Sequence, residues 1–218
     1  GQARKEYSFD PAIITRPNYF IYTFTNNNEE IIVSTTRGKD RFELLISNGR
    51  DASKNKVLMS DESYDVGGFY SSTRCHFGKK SKKIIGVQYD REKPVVTWFN
   101  EKYRVLQNKI DSTLPESFNK IIDTDLNGDH VVINTISDVH PGIVCVYDSP
   151  RDLFLRLTDF NPELRNYSVS KTQITEIKNR NGYPIECYIN KPPRGIQAKG
   201  LLVLTNLVFW ERFKWRYD

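Results

Sequence analysis

Three side chains of types used in hydrolytic chemistry lie close together in the sequence, at Ser137, Asp138 and His140. A catalytic triad uses these groups, with the histidine removing the proton of the serine hydroxyl. Such a triad is assembled from distant segments, however, and the acid orients the base. Ser-Asp-x-His-Pro-Gly is more typical of a loop, because Pro141 fixes its own φ and Gly142 frees the next position. We therefore assign no catalytic residue to this chain.

Oxygen-bearing side chains alternate along one acidic stretch, at Asp123, Asp125, Asn127 and Asp129. This alternation matches the beginning of a calcium-binding loop, with Gly128 where such a loop turns sharply. Asn134 stands where the loop would have its bidentate glutamate, and residues 131–133 are typical of a strand. An acid-rich β-turn explains the stretch more simply than a calcium site. We therefore expect no metal ligand and no cofactor.

The remaining chemical signals are weak. The sequence contains no Gly-x-Ser-x-Gly nucleophile elbow, and Gly67-Gly68 lacks the strand–glycine–helix setting of a phosphate loop. His76 and His130 flank predicted strands and are interpreted as structural. The three cysteines have no metal-site spacing, and two of them, Cys145 and Cys187, lie in apolar strand-like runs that favour buried free thiols.

The composition favours a β-rich globular protein. The chain has 218 residues, 38% of them apolar and 27% charged, and it contains 12 Tyr and 12 Phe. Aromatic side chains suit a pleated, half-buried surface. The net charge is +5, and the basic residues are scattered apart from the cluster at Lys79–Lys83. That cluster is interpreted as a solvated hairpin turn, with contact to an anionic partner as the alternative.

Short apolar or alternating runs, separated by Asn, Asp, Gly and Lys, predict strands along most of the chain. The predicted strands are 19–24, 31–35, 42–46, 73–77, 83–89, 94–99, 118–124, 130–135, 142–148 and 153–157. One helix is predicted from about Glu101 to Leu114, where Pro115 would end it. The strands form three groups of roughly 40 to 50 residues, which is the length of a propeller blade. We therefore predict an all-β fold, a partial β-propeller of about three to four antiparallel blades with one short helix and a linker strand. A plain antiparallel sandwich would give similar local signals.

Several short motifs follow one another in a recognisable order. A Ser-Asp…Pro-Gly loop at 137–142 stands before a strand that ends in Tyr147-Asp148, and a Pro-x-Leu segment follows at 162–164. An Asn-Gly turn at 181–182 then precedes a tyrosine-bearing strand and a Pro-x-Gly end at 193–195. This order resembles the late propeller and linker of the prolyl oligopeptidase family of serine peptidases, especially its acylaminoacyl-peptidase-like branch.

The resemblance covers residues 18–204 and includes Tyr64-Asp65-Val66, which is similar to a landmark between blades. It implies that residues 1–170 are a partial propeller and that 171–204 are a linker and the first strand of a truncated α/β-hydrolase domain. That strand is expected to begin at Gly200–Leu204. The family places a His-Gly-Gly-Pro turn after this strand, where backbone N–H groups help to form an oxyanion hole. No His and no Gly pair follow here, so residues 205–218 are expected to be an aberrant or truncated tail, with a frameshift, a truncation and a genuine ending all open.

The function implied by the resemblance is that of a non-catalytic propeller fragment of a peptide-hydrolysing serine peptidase, of the oligopeptidase or acylaminoacyl-peptidase type. The propeller would restrict substrate access, and the partners would be the α/β-hydrolase domain of the same protein and the peptide substrates of the full-length enzyme. No apolar run approaches the roughly 18 residues that cross a bilayer, so no membrane partner is expected. No nucleic-acid partner is expected either, although basic and aromatic residues alternate at 209–217.

No targeting segment is visible, which leaves the compartment open between cytoplasm and periplasm. The alternative function is a stand-alone β-rich module that binds a protein or a polyanionic partner, supported by the positive charge.

Overall fold

The computed structural model describes residues 19–25, 30–68, 71–167, 169–205 and Trp215. Two structural units share the chain: the first contains residues 1–91 and 95–100, and the second contains 92–94 and 101–218. Strands make up 42% of the residues and helices 11%. The predicted all-β class is therefore confirmed. The radial arrangement of the sheets as a propeller stays a prediction.

The first unit begins with a four-stranded antiparallel meander in which each strand pairs with the next one in the sequence. Its strands are β1 (Tyr19–Phe24), β2 (Ile31–Thr35), β3 (Glu43–Ser47) and β4 (Lys56–Met59). Residues of β2 are buried on both faces, because Ile32 packs into one apolar cluster while Ile31 and Val33 pack into another. A strand covered on both sides has a continuous apolar run in place of an alternating one.

A three-stranded sheet completes the first unit. Its strands are β5 (Arg74–Phe77), β6 (Ile84–Asp90) and β7 (Pro94–Trp98), in that order. Val87 and Tyr89 of β6 pack with Ile32, Leu44 and Val66 in one buried cluster. This cluster connects the two sheets of the first unit through apolar contact.

The second unit contains the one α-helix of the described residues, α1 (Glu101–Thr113), and a second four-stranded meander. The meander consists of β8 (Phe118–Thr124), β9 (His130–Ile136), β10 (Ile143–Asp148) and β11 (Leu153–Asp159). Alternate residues of β9 are buried, including Val131 and Ile133, as expected for a strand with one covered face. Helix α1 packs beside β8 and buries Leu106 and Ile110.

A separate hairpin follows, formed by β12 (Gln173–Lys178) and β13 (Pro184–Ile189). Its turn lies at 179–183, where Asn179 Oδ1 accepts the N–H groups of Asn181 and Tyr183. The Tyr188 hydroxyl donates to the Glu92 carbonyl oxygen at 2.8 Å. Short 3-10 helices span Ala52–Lys54 and Pro162–Asn166.

Most predicted elements agree with the structure within two residues, and strands 19–24, 31–35 and 118–124 agree at both ends. Strands β4 and β12 have no counterpart among the predictions. The strand predicted at Gly200–Leu204 is not formed, and Leu201 is 89% exposed. A strand needs a hydrogen-bonded neighbour, and no described strand pairs with this segment.

Two further predictions concern residues that lie wholly or largely outside the described ranges. The Asn26–Asn28 run, which predicts a turn between strands 19–24 and 31–35, lies outside the described residues. So does the tail at 205–218, apart from Thr205 and Trp215. Trp215 is only 4% exposed, and the Lys93 ammonium lies 4.6 Å from the centre of its ring. Within the described residues, no helix is both long and apolar enough to span a bilayer.

Candidate functional site

The Ser-Asp…Pro-Gly loop joins the two middle strands of the second meander, β9 and β10. The buried Ser137 hydroxyl oxygen accepts the N–H groups of Val139 and His140, both at 3.1 Å. The Ser137 N–H donates to the His140 carbonyl oxygen at 3.4 Å. These local bonds replace the ladder bonds that the chain gives up where it turns. The interpretation of the motif as loop chemistry is therefore confirmed.

A serine–histidine contact does exist here, but with a different serine. Ser117, in the connection between α1 and β8, has its hydroxyl oxygen 3.2 Å from His140 Nε2. Pairing of Phe118 with Ile136 brings the two segments together, although Ser117 and His140 are 23 residues apart. No short-range motif predicts this contact, because it depends on the register of β8 and β9.

The Ser117–His140 pair lacks the third member of a triad. His140 Nδ1 is buried and makes no hydrogen bond within the part of the chain that the structure describes. Burial lowers the pKa of His140, and the charge of Arg156 lowers it further, while Asp138 opposes both effects. The imidazole is therefore neutral near pH 7. Within the described residues, no carboxylate is hydrogen-bonded to His140 Nδ1, whereas the acid of a triad makes this bond and so holds one tautomer and stabilises the imidazolium.

Asp138, the carboxylate nearest to His140 in the sequence, serves another purpose. Its Oδ2 accepts the N–H of Thr172 at 2.5 Å. Beside this contact, the exposed Lys171 and Glu116 form an ion pair, which raises the pKa of the lysine and lowers that of the glutamate. The loop thus fixes the segment that enters β12. The contacts Ser117–His140, Asp138–Thr172 and Glu116–Lys171 together connect three loops of the second unit, and we name them the loop contact cluster.

The acidic turn between β8 and β9 is occupied by a lysine. The Lys102 ammonium, on α1, donates to the Asn127 carbonyl oxygen and to Asp129 Oδ1, the latter at 3.1 Å. Asp125 accepts the N–H of Asp129 at 2.8 Å through one oxygen, and its other oxygen lies 2.9 Å from His130 Nδ1. Both carboxylate oxygens of Asp125 and one of Asp129, which the calcium interpretation requires as ligands, are therefore bonded to groups of the protein. No group of three or more His, Cys, Asp and Glu side chains in the described parts of the chain has the arrangement of a metal site.

His130 is the titratable centre of this turn. The hydrogen bond with Asp125 raises the pKa of His130 above its ordinary value, and the charges of Asp148 and Asp129 add to the effect. The same bond lowers the pKa of Asp125. His130 Nε2 lies 3.9 Å from Asp148, whose side chain also pairs with Arg151. This charge network connects two turns at the same end of the sheet, with an exposed His130 and a buried Asp148.

The paired glycines of the first unit have their N–H groups bonded within the protein. The Gly67 N–H donates to Thr73 Oγ1 at 3.0 Å, and the Gly68 N–H donates to Ser34 Oγ at 2.9 Å. The Gly68 carbonyl oxygen accepts the Tyr22 hydroxyl. A phosphate loop presents its N–H groups to the ligand, so this segment is a structural connection.

The Tyr64-Asp65-Val66 landmark is structural in the same way. Asp65 Oδ1 accepts the N–H of Phe42 at 2.8 Å, and the Val66 N–H donates to the Phe42 carbonyl oxygen. Nearby, Asp61 accepts the Tyr89 hydroxyl at 2.7 Å and pairs with Arg91 at 3.0 Å. Burial, followed by the bond to Asp61, raises the pKa of Tyr89 to about 12. The phenol is therefore a permanent donor at physiological pH.

All three cysteines are free thiols. Cys145 is buried as predicted, but Cys187, in the two-stranded β12–β13 hairpin, is only half-buried. Burial raises the pKa of Cys75 to about 11. A thiol with so high a pKa is a poor nucleophile near neutral pH.

The predicted basic hairpin turn is confirmed. Strand β5 ends at Phe77, β6 begins at Ile84, and residues 79–83 between them are all exposed.

Two groups of polar side chains therefore remain as candidates for a functional site. They are the loop contact cluster around Ser117, His140 and Asp138, and the basic turn at residues 79–83. Neither is an assembled catalytic centre. Comparison of the sequence with protein-family models and with curated proteins found no match in either set.

Proposed function

We propose that the chain is a non-catalytic β-sheet part of a serine peptidase of the prolyl oligopeptidase type. In this role it restricts the access of peptides to a catalytic α/β-hydrolase domain. One observation carries the proposal: the loop at 137–142 joins the middle strands of a four-stranded meander, β8–β11, which is the sheet type of a propeller blade. The family resemblance requires this loop to precede the strand that ends in Tyr147-Asp148.

The roles of the motif residues support the non-catalytic part of the proposal. Asp138 accepts a backbone N–H and Ser137 accepts two N–H groups of its own loop, so these bonds are to backbone groups and not to an imidazole as in a triad. Tyr147 donates to Asp152 at 2.9 Å and stacks on Phe154, with the ring centres 4.3 Å apart. The motif that resembles a peptidase is therefore used to connect strands.

Repetition supports the propeller part of the proposal. The first meander, β1–β4, has the same consecutive strand order as the second. Each meander has two edge strands, and a blade normally covers its faces with the neighbouring blades. A repeated four-stranded meander is the pattern that such an architecture needs.

Sequencing of the locus tests the family assignment. The proposal predicts that DNA on the 3′ side of the Asp218 codon encodes a His-Gly-Gly-Pro turn and, further on, a Gly-x-Ser-x-Gly elbow in one of the three frames. The protein translated with that region should hydrolyse short peptide substrates and reject long ones. Absence of both motifs from all three frames over the length of a hydrolase domain would overturn the assignment.

A fluorophosphonate probe, which labels activated serines, tests the non-catalytic part separately. The present chain and its Ser117→Ala variant are both expected to remain unlabelled, because Ser117 has no oriented base. Labelling of the parent chain that disappears in Ser117→Ala and in His140→Ala would show that the Ser117–His140 pair is catalytic.

A further inference from the structure

The turn between β5 and β6 carries four lysines and one serine in five consecutive positions, Lys79–Lys83. We name these residues the lysine turn. All five are exposed, and the turn lies at the end of the hairpin, with β5 and β6 leading away from it. Nothing in the proposed peptidase function uses this feature.

Hydrogen bonds define the backbone of the lysine turn. The Gly78 N–H donates to the Lys83 carbonyl oxygen at 2.9 Å, and the Lys82 N–H donates to the Gly78 carbonyl oxygen at 2.7 Å. The Ser81 hydroxyl oxygen accepts the Lys83 N–H at 3.3 Å. Lys82 has a φ of 54°, in the left-handed region that closes a tight turn. The four charges are therefore held within one small, ordered segment.

We propose that the lysine turn is a docking point for an anionic lipid surface. Attraction between a lysine and anionic headgroups falls off within a Debye length, about 8–10 Å at physiological salt. Charges add together only when they reach the surface at the same time, and a single tight turn satisfies this condition. A flat membrane also offers many headgroups to an exposed turn without requiring a groove.

The residue types favour a lipid surface over a nucleic acid. The lysine turn contains no aromatic side chain that could stack on a base and no arginine that could bind a phosphate in bidentate fashion. Lysine is a point charge on a flexible stem, which suits a fluid array of headgroups. Because this contact is peripheral, it needs no bilayer-spanning segment, and it revises the expectation of no membrane partner.

Vesicle sedimentation with the full chain tests the proposal. The chain is expected to bind vesicles that contain phosphatidylglycerol and phosphatidylcholine in equal amounts, to release them as salt rises to about 0.5 M, and to ignore pure phosphatidylcholine. Each lysine removed should lower the partition coefficient about fivefold, so the K79Q/K80Q/K82Q/K83Q variant should lose about a hundredfold or more.

A matched control separates the lysine turn from the net charge. The K56Q/K178Q/K191Q/K199Q variant removes four exposed but dispersed lysines, and it lowers the net charge from +5 to +1 like the first variant. It should bind within about fivefold of the parent, because only one dispersed lysine at a time approaches the surface. Coinciding urea melts of the two variants check the fold. If the first variant fails to fold, Lys80→Gln alone should still lose about fivefold.

Three results would overturn the proposal. Equal losses in the two variants would make net charge responsible. Undiminished vesicle binding by the K79Q/K80Q/K82Q/K83Q variant would place the contact elsewhere. Tighter binding to single-stranded or duplex DNA than to vesicles of equal charge concentration would make the surface a nucleic-acid site.

Discussion

The two four-stranded meanders have the same strand order but different burial. In the first, every residue of β2 is buried, including the polar Ser34 and Thr35. In the second, β9 alternates between buried and half-buried residues after an exposed His130, and β11 exposes Leu153, Leu155 and Leu157. Strand order therefore does not determine how a sheet is stabilised. The first meander is stabilised mainly by apolar packing on both faces of β2. In the second meander, polar contacts at the edge and ends of the sheet add to the apolar packing.

Buried polar groups show the same contrast. Glu43 of the first meander is buried but compensated by Lys39 at 2.6 Å and Arg37 at 3.2 Å. In the second unit, Asn119 of β8 donates to Asp111 at 3.0 Å and to the Leu114 carbonyl oxygen at 2.9 Å. Gln107 of α1 donates to the same Asp111 and to the Asn119 carbonyl oxygen. Thus, in the first unit, two cations compensate the charge of a buried glutamate. In the second unit, hydrogen bonds of two amide side chains attach a helix to a sheet.

The largest expected effect comes from an apolar truncation in the first meander. Leu44→Ala should lower the free energy of unfolding by about 3–4 kcal/mol, because Leu44 is fully buried in a cluster with Ile32, Val66, Val87 and Tyr89. Urea unfolding followed by circular dichroism measures the change.

Leu155→Ala is the matched control in the second meander. Leu155 is 48% exposed, so its truncation should cost less than about 1 kcal/mol. Equal losses for the two leucines would contradict the difference in burial between the sheets.

Glycine replacements give the next largest difference. Gly67 has a φ of 118°, and an added Cβ would lie 2.1 Å from Ser34 Oγ and 2.7 Å from Ser34 Cβ. Gly67→Ala should therefore destabilise the first unit by about 2–3 kcal/mol, since backbone strain and steric overlap act together. Thermal unfolding measures this loss.

Gly182 provides the comparison in the β12–β13 turn. Its φ is 83°, but an added Cβ would meet nothing within 4 Å. Gly182→Ala should cost only about 1 kcal/mol, from backbone strain alone. A larger loss at Gly182 than at Gly67 would show that steric overlap with Ser34 is relieved by a small shift.

The amide network of the second unit should give an intermediate effect. Asn119→Ala is expected to lower the free energy of unfolding by about 2 kcal/mol, because the Leu114 carbonyl oxygen and Asp111 Oδ1 each lose the donor that Asn119 provides. Gln107→Ala should give a smaller effect than Asn119→Ala and should not add to it fully, since both bond Asp111. Full additivity of the two losses would argue against a shared network.

Local signals in the sequence predicted most strands because they depend on near neighbours. Residues 31–35 begin with a continuous β-branched apolar run, and residues 131–133 are a second such run, so both strands are recognisable. Strand β4, Lys56–Met59, has two exposed residues and no clear period, and it is a strand only because β3 pairs with it. Leu201–Leu204 has the opposite problem, since its apolar run predicts a strand but no described neighbour pairs with it.

The candidate site was less predictable than the fold. The His140 imidazole is hydrogen-bonded to Ser117, whereas the nearer Ser137 accepts the His140 backbone N–H, because the register of β8 against β9 decides which hydroxyl lies beside the imidazole. Lys102 enters the acidic turn from α1, 27 residues before Asp129, and no short spacing records such a contact. Long-range pairs of this kind follow from sheet register and helix position, which a single sequence specifies only weakly.

The smallest expected effect is the pH response of the His130 network. The pKa of His130 is raised in the folded chain, chiefly by its bond to Asp125, so folding favours the protonated imidazole. Its contribution to stability is complete below the ordinary pKa of about 6.5 and disappears as pH rises through the higher folded value. The stability difference between the parent and His130→Gln should therefore shrink as pH increases from 6 to 9, measured by urea unfolding at each pH. The stabilising effect of His130 relative to the His130→Gln variant should fall less in an Asp148→Asn background than in an Asp125→Asn background. Asp148 Oδ2 lies 3.9 Å from His130 Nε2, whereas Asp125 Oδ2 lies 2.9 Å from His130 Nδ1. If the stability difference between the parent and His130→Gln stayed constant from pH 6 to pH 9, the His130–Asp125 pair would contribute no net stability. Solvent screening often has this effect on exposed charges.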